Sequence, residues 1–149
     1  MPAGDQISED FQWELRATLM GPGTVVKAHR RKGGIVGLLD TPGRAAETEY
    51  AHADGSFIGE ASRPPRTATF NLIISTSTAA AAGSALAAQE AVWEPGSATE
   101  PLYFRFPGIG KKYVNGWPLG IIDVDTTEFV FGVVTFAALF RITDPVIHT

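Results

Sequence analysis

The chain has 149 residues and no cysteine. That absence excludes disulfides, a thiolate nucleophile and any zinc site built on cysteine. Histidine is almost as scarce, and His29, His52 and His148 lie on three separate segments. None of them has the i,i+4 or H-x-H spacing that lets two imidazoles share a metal ion. We therefore expect neither a metal site nor a cofactor.

The chain also lacks a dominant positive charge and a membrane-length apolar run. Its formal net charge is −4, which disfavours tight binding of nucleic acid because phosphate contacts require clustered Lys and Arg. The longest apolar run, Phe129–Ile142, falls short of the ~20 residues that a membrane-spanning helix needs. No apolar stretch follows basic residues at the N-terminus, so no signal peptide is predicted. We expect no membrane segment.

Motifs for catalysis are weak. Gly108-Ile109-Gly110-Lys111 resembles a fragment of a phosphate-binding loop, but no Ser or Thr follows the lysine, and a hairpin turn is the preferred interpretation. Asp123 and Asp125 would share one face of a strand, and paired carboxylates can divide the acid and base roles in glycoside hydrolysis. A solvated strand end before a turn explains them more simply. No nucleophile-elbow sequence is present. The chain is predicted not to be an enzyme; chemistry through Asp123 and Asp125 is the alternative.

Alternation of apolar and polar residues predicts a mainly β protein. Phe11, Trp13 and Leu15 alternate with polar neighbours, and Gly21-Pro22-Gly23 predicts a turn that leads into a return partner. In the strand at Thr67–Ser75, the inward residues are Ala68, Phe70, Leu72 and Ile74. The further predicted strands are Thr24–His29, Ile35–Leu39, Leu102–Phe106, Lys111–Trp117, Leu119–Asp125 and Phe129–Ile142.

One helix interrupts the strands, at residues 78–93. Ser75-Thr76-Ser77-Thr78 offers N-cap oxygens, the alanine-rich run Ala79–Val92 favours a helix, and Pro95-Gly96 ends it. The resulting fold class is mainly β (α+β): an antiparallel β-sandwich with one flanking α-helix. We expect a flexible leader at residues 1–9 and a single domain at residues 10–149.

Residues 44–66 show no convincing period. Roughly 25 residues without regular structure are unusual inside a compact domain, so we expect a long loop or a hairpin arm that a partner orders. Phe57-Ile58, flanked by glycines, is a candidate apolar anchor. Arg63-Pro64-Pro65-Arg66 holds two guanidinium groups apart for an ion-paired contact.

The run Phe129–Ile142 would be apolar on both faces if it were one strand. Such a strand has to be covered from two sides, and part of that cover is expected from another subunit. The basic cluster Arg30-Arg31-Lys32 is either a solvated hairpin tip or a contact for phosphate or for an acidic patch on a neighbour. The residues predicted to contact a neighbouring subunit are Phe57, Ile58, Arg63, Arg66, Arg30, Arg31, Lys32 and Trp117.

Several motifs together resemble a known family. In order and spacing, the chain resembles minor tail proteins of long non-contractile-tailed bacteriophages of actinobacteria, which are similar to the N-terminal, ring-forming domain of the distal tail protein family. The segments that carry the resemblance are Phe11–Leu15, Leu19–Thr24, Asp54–Phe57, Arg66–Phe70, Pro101–Gly108 and Asp144-Pro145.

The resemblance implies a structural virion protein. Such domains are β-sandwiches with a flanking helix that form a hexameric ring at the distal end of the tail tube. The ring contacts the tube protein and the tail-tip or hub proteins, and DNA passes through its channel without specific binding. The implied location is the virion tail, with assembly in the host cytoplasm. The alternatives are a tail tube or tail-terminator subunit, the equivalent part of a phage-derived particle such as a gene transfer agent, or a small carbohydrate-binding module that uses Tyr103, Tyr113 and Trp117.

Overall fold

The computed structural model describes residues 4–39, 44–49, 56–62, 65–96, 98–144 and 146–149, with the backbone alone described at 44–49 and 56–62. Within these ranges the chain forms ten strands, one α-helix and two 3₁₀ turns. In chain order they are β1 Trp13–Leu15, β2 Thr18–Met20, β3 Val26–Ala28, the 3₁₀ turn Arg30–Lys32, β4 Ile35–Val36, β5 Arg44–Glu49, β6 Ser56–Ser62, β7 Arg66–Ser75, α1 Ala79–Val92, β8 Glu100–Phe106, β9 Gly110–Asp125, the 3₁₀ turn Phe129–Phe131 and β10 Val133–Ile142.

Eight of the strands form one antiparallel sheet with the order β2-β1-β8-β9-β10-β7-β3, and β4 also pairs with β7. The sheet curls until it is nearly closed, and α1 packs against it. The predicted fold class, a mainly β antiparallel fold with one flanking helix, is confirmed. Because one curled sheet supplies both layers, the core lies inside the curl.

Strict alternation along β7 produces the core. Ala68, Phe70, Leu72 and Ile74 are all fully buried, as predicted. Phe70 is registered with Ala138 of β10, so the inward faces of the two central strands coincide. The inward residues of β10 are Val134, Phe136, Ala138, Phe140 and Ile142.

The helix begins where the sequence predicts an N-cap. The Thr78 side chain accepts a hydrogen bond from the backbone N–H of Ala81. At the other end, the Trp93 ring packs on Phe70 with 5.0 Å between ring centroids, and its indole N–H donates to Gln89. That bond lets a polar glutamine be buried beside the core.

The segment that was expected to be a flexible leader contacts β1 from residue 4 onwards. The backbone N–H groups of Gly4 and Gln6 donate to the Glu14 carboxylate, and that of Ser8 donates to the Gln12 side chain. Gln12 and Glu14 are consequently only 3% and 2% exposed, although alternation places them on a polar face. Their hydrogen-bonding groups are satisfied by the segment in front of the strand, which explains their burial.

The early strands also pair differently from the prediction. β3 does not return along β1; it pairs with β7, through Val26 and Ile74. The edges of β1 are taken by β2 and β8 instead. The turn that follows β2 therefore connects one edge strand of the curled sheet, β2, to the strand at its other edge, β3.

The long final strand is shorter than predicted. Phe129–Phe131 forms a 3₁₀ turn that ends at Gly132, whose φ of 81° lies in the left-handed region. Val130 and Phe131 project from it with 72% and 73% of their surface exposed. Upstream, the two strands predicted at Lys111–Trp117 and Leu119–Asp125 are one continuous strand, β9, with bulges in its pairing to β10.

Residues 44–62 contain a hairpin. β5 and β6 pair with each other in a two-stranded sheet separate from the main one. Of the two structures expected for this segment, loop or hairpin arm, the backbone adopts the second. Phe57 and Ile58 lie on β6, registered with Thr48 and Glu47. Arg63 lies outside the described residues.

Candidate subunit interface

The second face of β10 is the one directed away from the core. Val133 and Leu139 on this face are only partly buried, and Ala137 between them is 5% exposed. Ile122 of β9, registered with Ala137, stays 44% exposed. Ile73 of β7 continues the same face. We call the surface made by Ile73, Ile122, Val133, Ala137 and Leu139 the outer face. Its apolar character matches the expectation for β10, whereas the inner face is covered by this chain itself.

Trp117 borders the outer face. It is half-buried on β9 and registered with Arg141 of β10. Its neighbour along the strand, Leu119, is 40% exposed. The predicted interface role of Trp117 is therefore compatible with its position, at the end of the apolar surface farthest from the 3₁₀ turn that precedes β10.

The basic cluster forms one wall of a groove. Arg30, Arg31 and Lys32 make the 3₁₀ turn after β3, and all three are exposed. Together with the residues opposite them they line a groove of about 560 Å³, which we call the basic groove. The described lining residues are Lys27, Ala28, His29, Arg30, Arg31, Lys32, Ile73, Asp125, Thr127, Glu128, Val133 and Thr135. The groove lies beside the outer face, since Ile73 and Val133 belong to both.

The surroundings of Asp125 favour its ionised form, which is the opposite of what acid catalysis requires. The Thr127 hydroxyl and backbone N–H both donate to Asp125, and these hydrogen bonds hold the pKa of its carboxyl below the ordinary value. A general acid needs the opposite shift. Asp123 adopts a left-handed backbone, φ 55°, at a bulge of β9. The geometry gives no support to acid–base chemistry at this pair.

Arg66 does not reach outward as predicted for an interface arginine. It is 9% exposed, and its guanidinium donates to the backbone carbonyls of Gly37 and Leu38, with the Nε to Gly37 O distance at 3.1 Å and the Nη2 to Leu38 O distance at 3.0 Å. These bonds join the two chain segments from which the hairpin departs. Arg66 therefore fixes the base of the hairpin, a role that the adjacent prolines in the sequence do not reveal.

Two of the three aromatic residues considered for carbohydrate stacking, Tyr103 and Tyr113, already contact other rings. The rings of Tyr103 and Tyr113 lie 5.2 Å apart, and Tyr113 also stacks on His148 at 4.9 Å. His148 approaches the Asp144 carboxylate at 2.6 Å, and this hydrogen bond lowers the pKa of Asp144. The stack anchors the C-terminal segment on β9, and Trp117 is not part of it.

Metal-binding clusters and membrane-spanning helices are both absent from the described residues. Across the ranges given above, no three side chains of His, Asp or Glu lie where they could hold one metal ion. Within the same ranges, no helix has the length and apolarity that crossing a membrane requires.

Comparison with known proteins shows a likeness of fold. No family model matches the chain, and no curated protein matches it. Among solved structures it is similar to the SPP1 Dit (gp 19.1) protein, with a TM-score of 0.64 and 13% sequence identity over 93% of this chain. That protein is described as a paradigm of the hub adsorption apparatus in phages that infect Gram-positive bacteria. The match covers 52% of it, so this chain spans about half its length.

Proposed function

We propose that this chain is a structural component of a bacteriophage tail, which forms a ring at the distal end of the tail tube. The observation that carries the proposal is the fold match to a phage hub protein over 93% of the chain. In this proposal the ring is a homohexamer, continues the DNA channel, and contacts the tube on one side and tail-tip proteins on the other. Its site of action is the virion tail.

The outer face supports an assembly role on physical grounds. A sheet in a globular domain buries its apolar faces, and the core-facing side of β7 and β10 is fully buried by this chain. The outer face is equally central in the sheet but keeps Ile122 at 44% exposure. Apolar surface that is left partly open to solvent near the centre of a sheet is a candidate interaction site. A neighbouring subunit in a ring would cover it.

Charge supports passage of DNA without capture. The net charge of −4 gives little attraction for phosphate, so a lumen built from such chains would let DNA slide. A ring also requires contacts that differ on the two sides of each copy, because only a head-to-tail interface closes on itself after several copies.

The test combines size-exclusion chromatography with light scattering and negative-stain imaging of the purified chain. The expected result is a mass near that of a hexamer, and rings in the images. A chain that stays monomeric at high concentration would refute the proposal.

A matched pair of variants tests the outer face. Leu139→Asp places a carboxylate where a neighbour would bury it, and burial of an unpaired charge is strongly unfavourable, so assembly should be lost while the circular-dichroism melt changes little. Ile109→Asp introduces the same charge at an apolar residue that is 43% exposed in the turn after β8, and assembly should persist. Equal loss in both variants would mean that the outer face has no special role.

A further inference from the structure

Several charged residues that form no ion pair with a described residue are grouped around two grooves. Among the described residues four ion pairs are formed, and they use Arg16, Arg105, Lys111 and His148. The cations of the basic groove are not among them: Lys32 reaches only the Thr135 hydroxyl, at 3.4 Å. The described residues along its walls include four cations and two carboxylates, an excess of two positive charges.

A second groove carries the opposite charge. It has a volume of about 540 Å³ and lies between the C-terminal half of α1 and β9; we call it the acidic groove. Among the described residues that line it, Glu90 and Glu94 are the charged ones; both are exposed, and neither forms an ion pair with a described residue. The rest of the lining is small or apolar: Ala87, Ala91, Pro95, Gly120, Ile121 and Val124.

The two glutamates sit at the unfavourable end of the helix. The C-terminus of a helix carries partial negative charge, so carboxylates there are destabilised and cations are attracted. α1 has no basic residue in its last turn. Arg16 approaches from the turn between β1 and β2, but its Nε pairs with Glu100 and its Nη1 donates to the carbonyls of Ala91 and Val92. The C-terminal end of the helix and the side chains of Glu90 and Glu94 therefore attract a further cation together.

The two grooves open on opposite faces of the sheet. Ile121 of the acidic groove is registered with Ala138, which is fully buried on the core side. Asp125 of the basic groove is registered with Thr135, which in turn is registered with Ile73 on the outer face. One copy cannot bring its own grooves together, whereas two copies in head-to-tail orientation can.

We propose that the acidic end of α1 in one copy binds in the basic groove of a second copy of this chain. Glu90 and Glu94 would meet Arg30 and Arg31, and Val124, which is 43% exposed, would pack on the apolar floor of the basic groove. The contact is heterologous, and repeating it around an axis generates a ring. The inference deepens the proposed function, on which it rests.

Charge reversal in both grooves tests the contact. Arg30→Glu/Arg31→Glu inactivates the basic groove, and Glu90→Lys/Glu94→Lys inactivates the acidic one. Each variant alone should lose assembly, with self-association weakened at least about tenfold, because like charges then face each other. All four residues are exposed, so the thermal melts should stay close to that of the unaltered chain.

Mixing the two variants gives the decisive readout. The unaltered groove of each variant fits the unaltered groove of the other, and the two reversed grooves are also complementary in charge. An equimolar mixture should therefore form assemblies in which the two chains alternate. A chain with all four substitutions should assemble again, because its reversed grooves are complementary. Lys111→Glu/Lys112→Glu reverses two charges away from both grooves and should leave assembly intact. Salt should weaken the contact, since the screening length falls from ~10 Å at 0.1 M to ~3 Å at 1 M.

Other outcomes overturn the inference in distinguishable ways. If the unaltered chain forms rings and either reversal leaves them unchanged, the groove contact is wrong and the ring proposal stands. If both reversals abolish assembly but neither the mixture nor the fourfold variant restores it, the grooves do not meet each other. If the unaltered chain is monomeric throughout, both proposals fail together.

Discussion

Among the turn glycines that the structure describes, Gly132 is the one whose replacement by alanine should lower the free energy of unfolding the most. Its backbone has φ 81°, and a Cβ there would lie 2.4 Å from the Thr76 carbonyl oxygen and 2.9 Å from the Thr76 hydroxyl. Alanine in the left-handed region costs about 1–2 kcal/mol. The crowding would also disturb the hydrogen bonds that Thr76 donates to Gly132 from its N–H at 2.8 Å and its hydroxyl at 2.9 Å, each worth about 1 kcal/mol. Gly132→Ala should therefore lower the free energy of unfolding by about 3–4 kcal/mol.

Gly108 provides a matched control. Its φ is 76°, almost that of Gly132, but an added Cβ would meet no atom within 4 Å. Gly108→Ala should cost only the left-handed backbone term, about 1–2 kcal/mol. The difference between the two variants, about 2 kcal/mol, then measures the contact between Gly132 and Thr76 alone.

The assay is urea unfolding followed by the fluorescence of the buried Trp13 and Trp93, with a thermal melt as a second probe. For a chain of this size about 1 kcal/mol corresponds to about 2–4 °C, so the melting temperature of Gly132→Ala should lie about 4–8 °C below that of Gly108→Ala. Equal losses in the two variants would refute the reasoning, because the turn that presents Val130 and Phe131 would then not depend on its packing against Thr76.

Three further predictions concern the hairpin and the C-terminal segment. Arg66→Met should lower the free energy of unfolding by about 2–4 kcal/mol in urea titrations, since it leaves two carbonyls at the hairpin base without their charged donor; unchanged stability would contradict the clamp. Because His148 lowers the pKa of Asp144, the stability that this carboxylate contributes is present above its unfolded pKa and lost as pH falls through the lower folded pKa. Asp144→Asn should flatten that decline below about pH 4 in melts across pH, and an identical decline would argue against the pair. Deletion of residues 44–62 should leave the main sheet folded by circular dichroism but weaken assembly in light scattering, as should Phe57→Asp; rings of normal mass would exclude the arm.

Local patterns predicted the parts of the fold that have a clean period. Along β7 buried residues alternate with more exposed ones without exception, and the apolar residues of its inward set were predicted completely. The helix follows from the same kind of local signal, because its N-cap threonine and its alanine run lie next to each other in the chain. In these segments neighbours in sequence determine the conformation, so no knowledge of distant residues was required.

The errors share one cause, which is contact between residues far apart in sequence. Burial of Glu14 depends on N–H groups from the leader, and the partner of β3 is a strand some 40 residues later along the chain. The split of the final strand is different, because Gly132 was visible in the sequence. An apolar run can form either a strand or a tight turn, and only the left-handed glycine marks the boundary.

The same distinction applies to the candidate interface. The run of basic residues in the sequence predicted the basic cluster, and the position of Trp117 in an aromatic strand predicted that it lies at an interface. The basic groove could not be predicted from the sequence, because its other wall comes from Asp125 and Glu128. The strand order β9-β10-β7-β3 brings these two residues beside Arg30. The opposing acidic groove was missed for the same reason, since its helix and strand are separate in the sequence.

Apolar surface and charge supply different information about an assembly. Burial of the outer face can stabilise a contact in many orientations, since the hydrophobic effect has no direction. The basic and the acidic groove lie on opposite faces of one sheet. Orientations that place two basic grooves or two acidic grooves against each other are unfavourable, because charges of the same sign then repel. A chain that carries both features is therefore biased towards head-to-tail repetition over a symmetric dimer. In the proposed ring, the orientation of neighbouring copies would depend on Arg30, Arg31, Glu90 and Glu94, and the strength of their contact would depend on the apolar residues of the outer face.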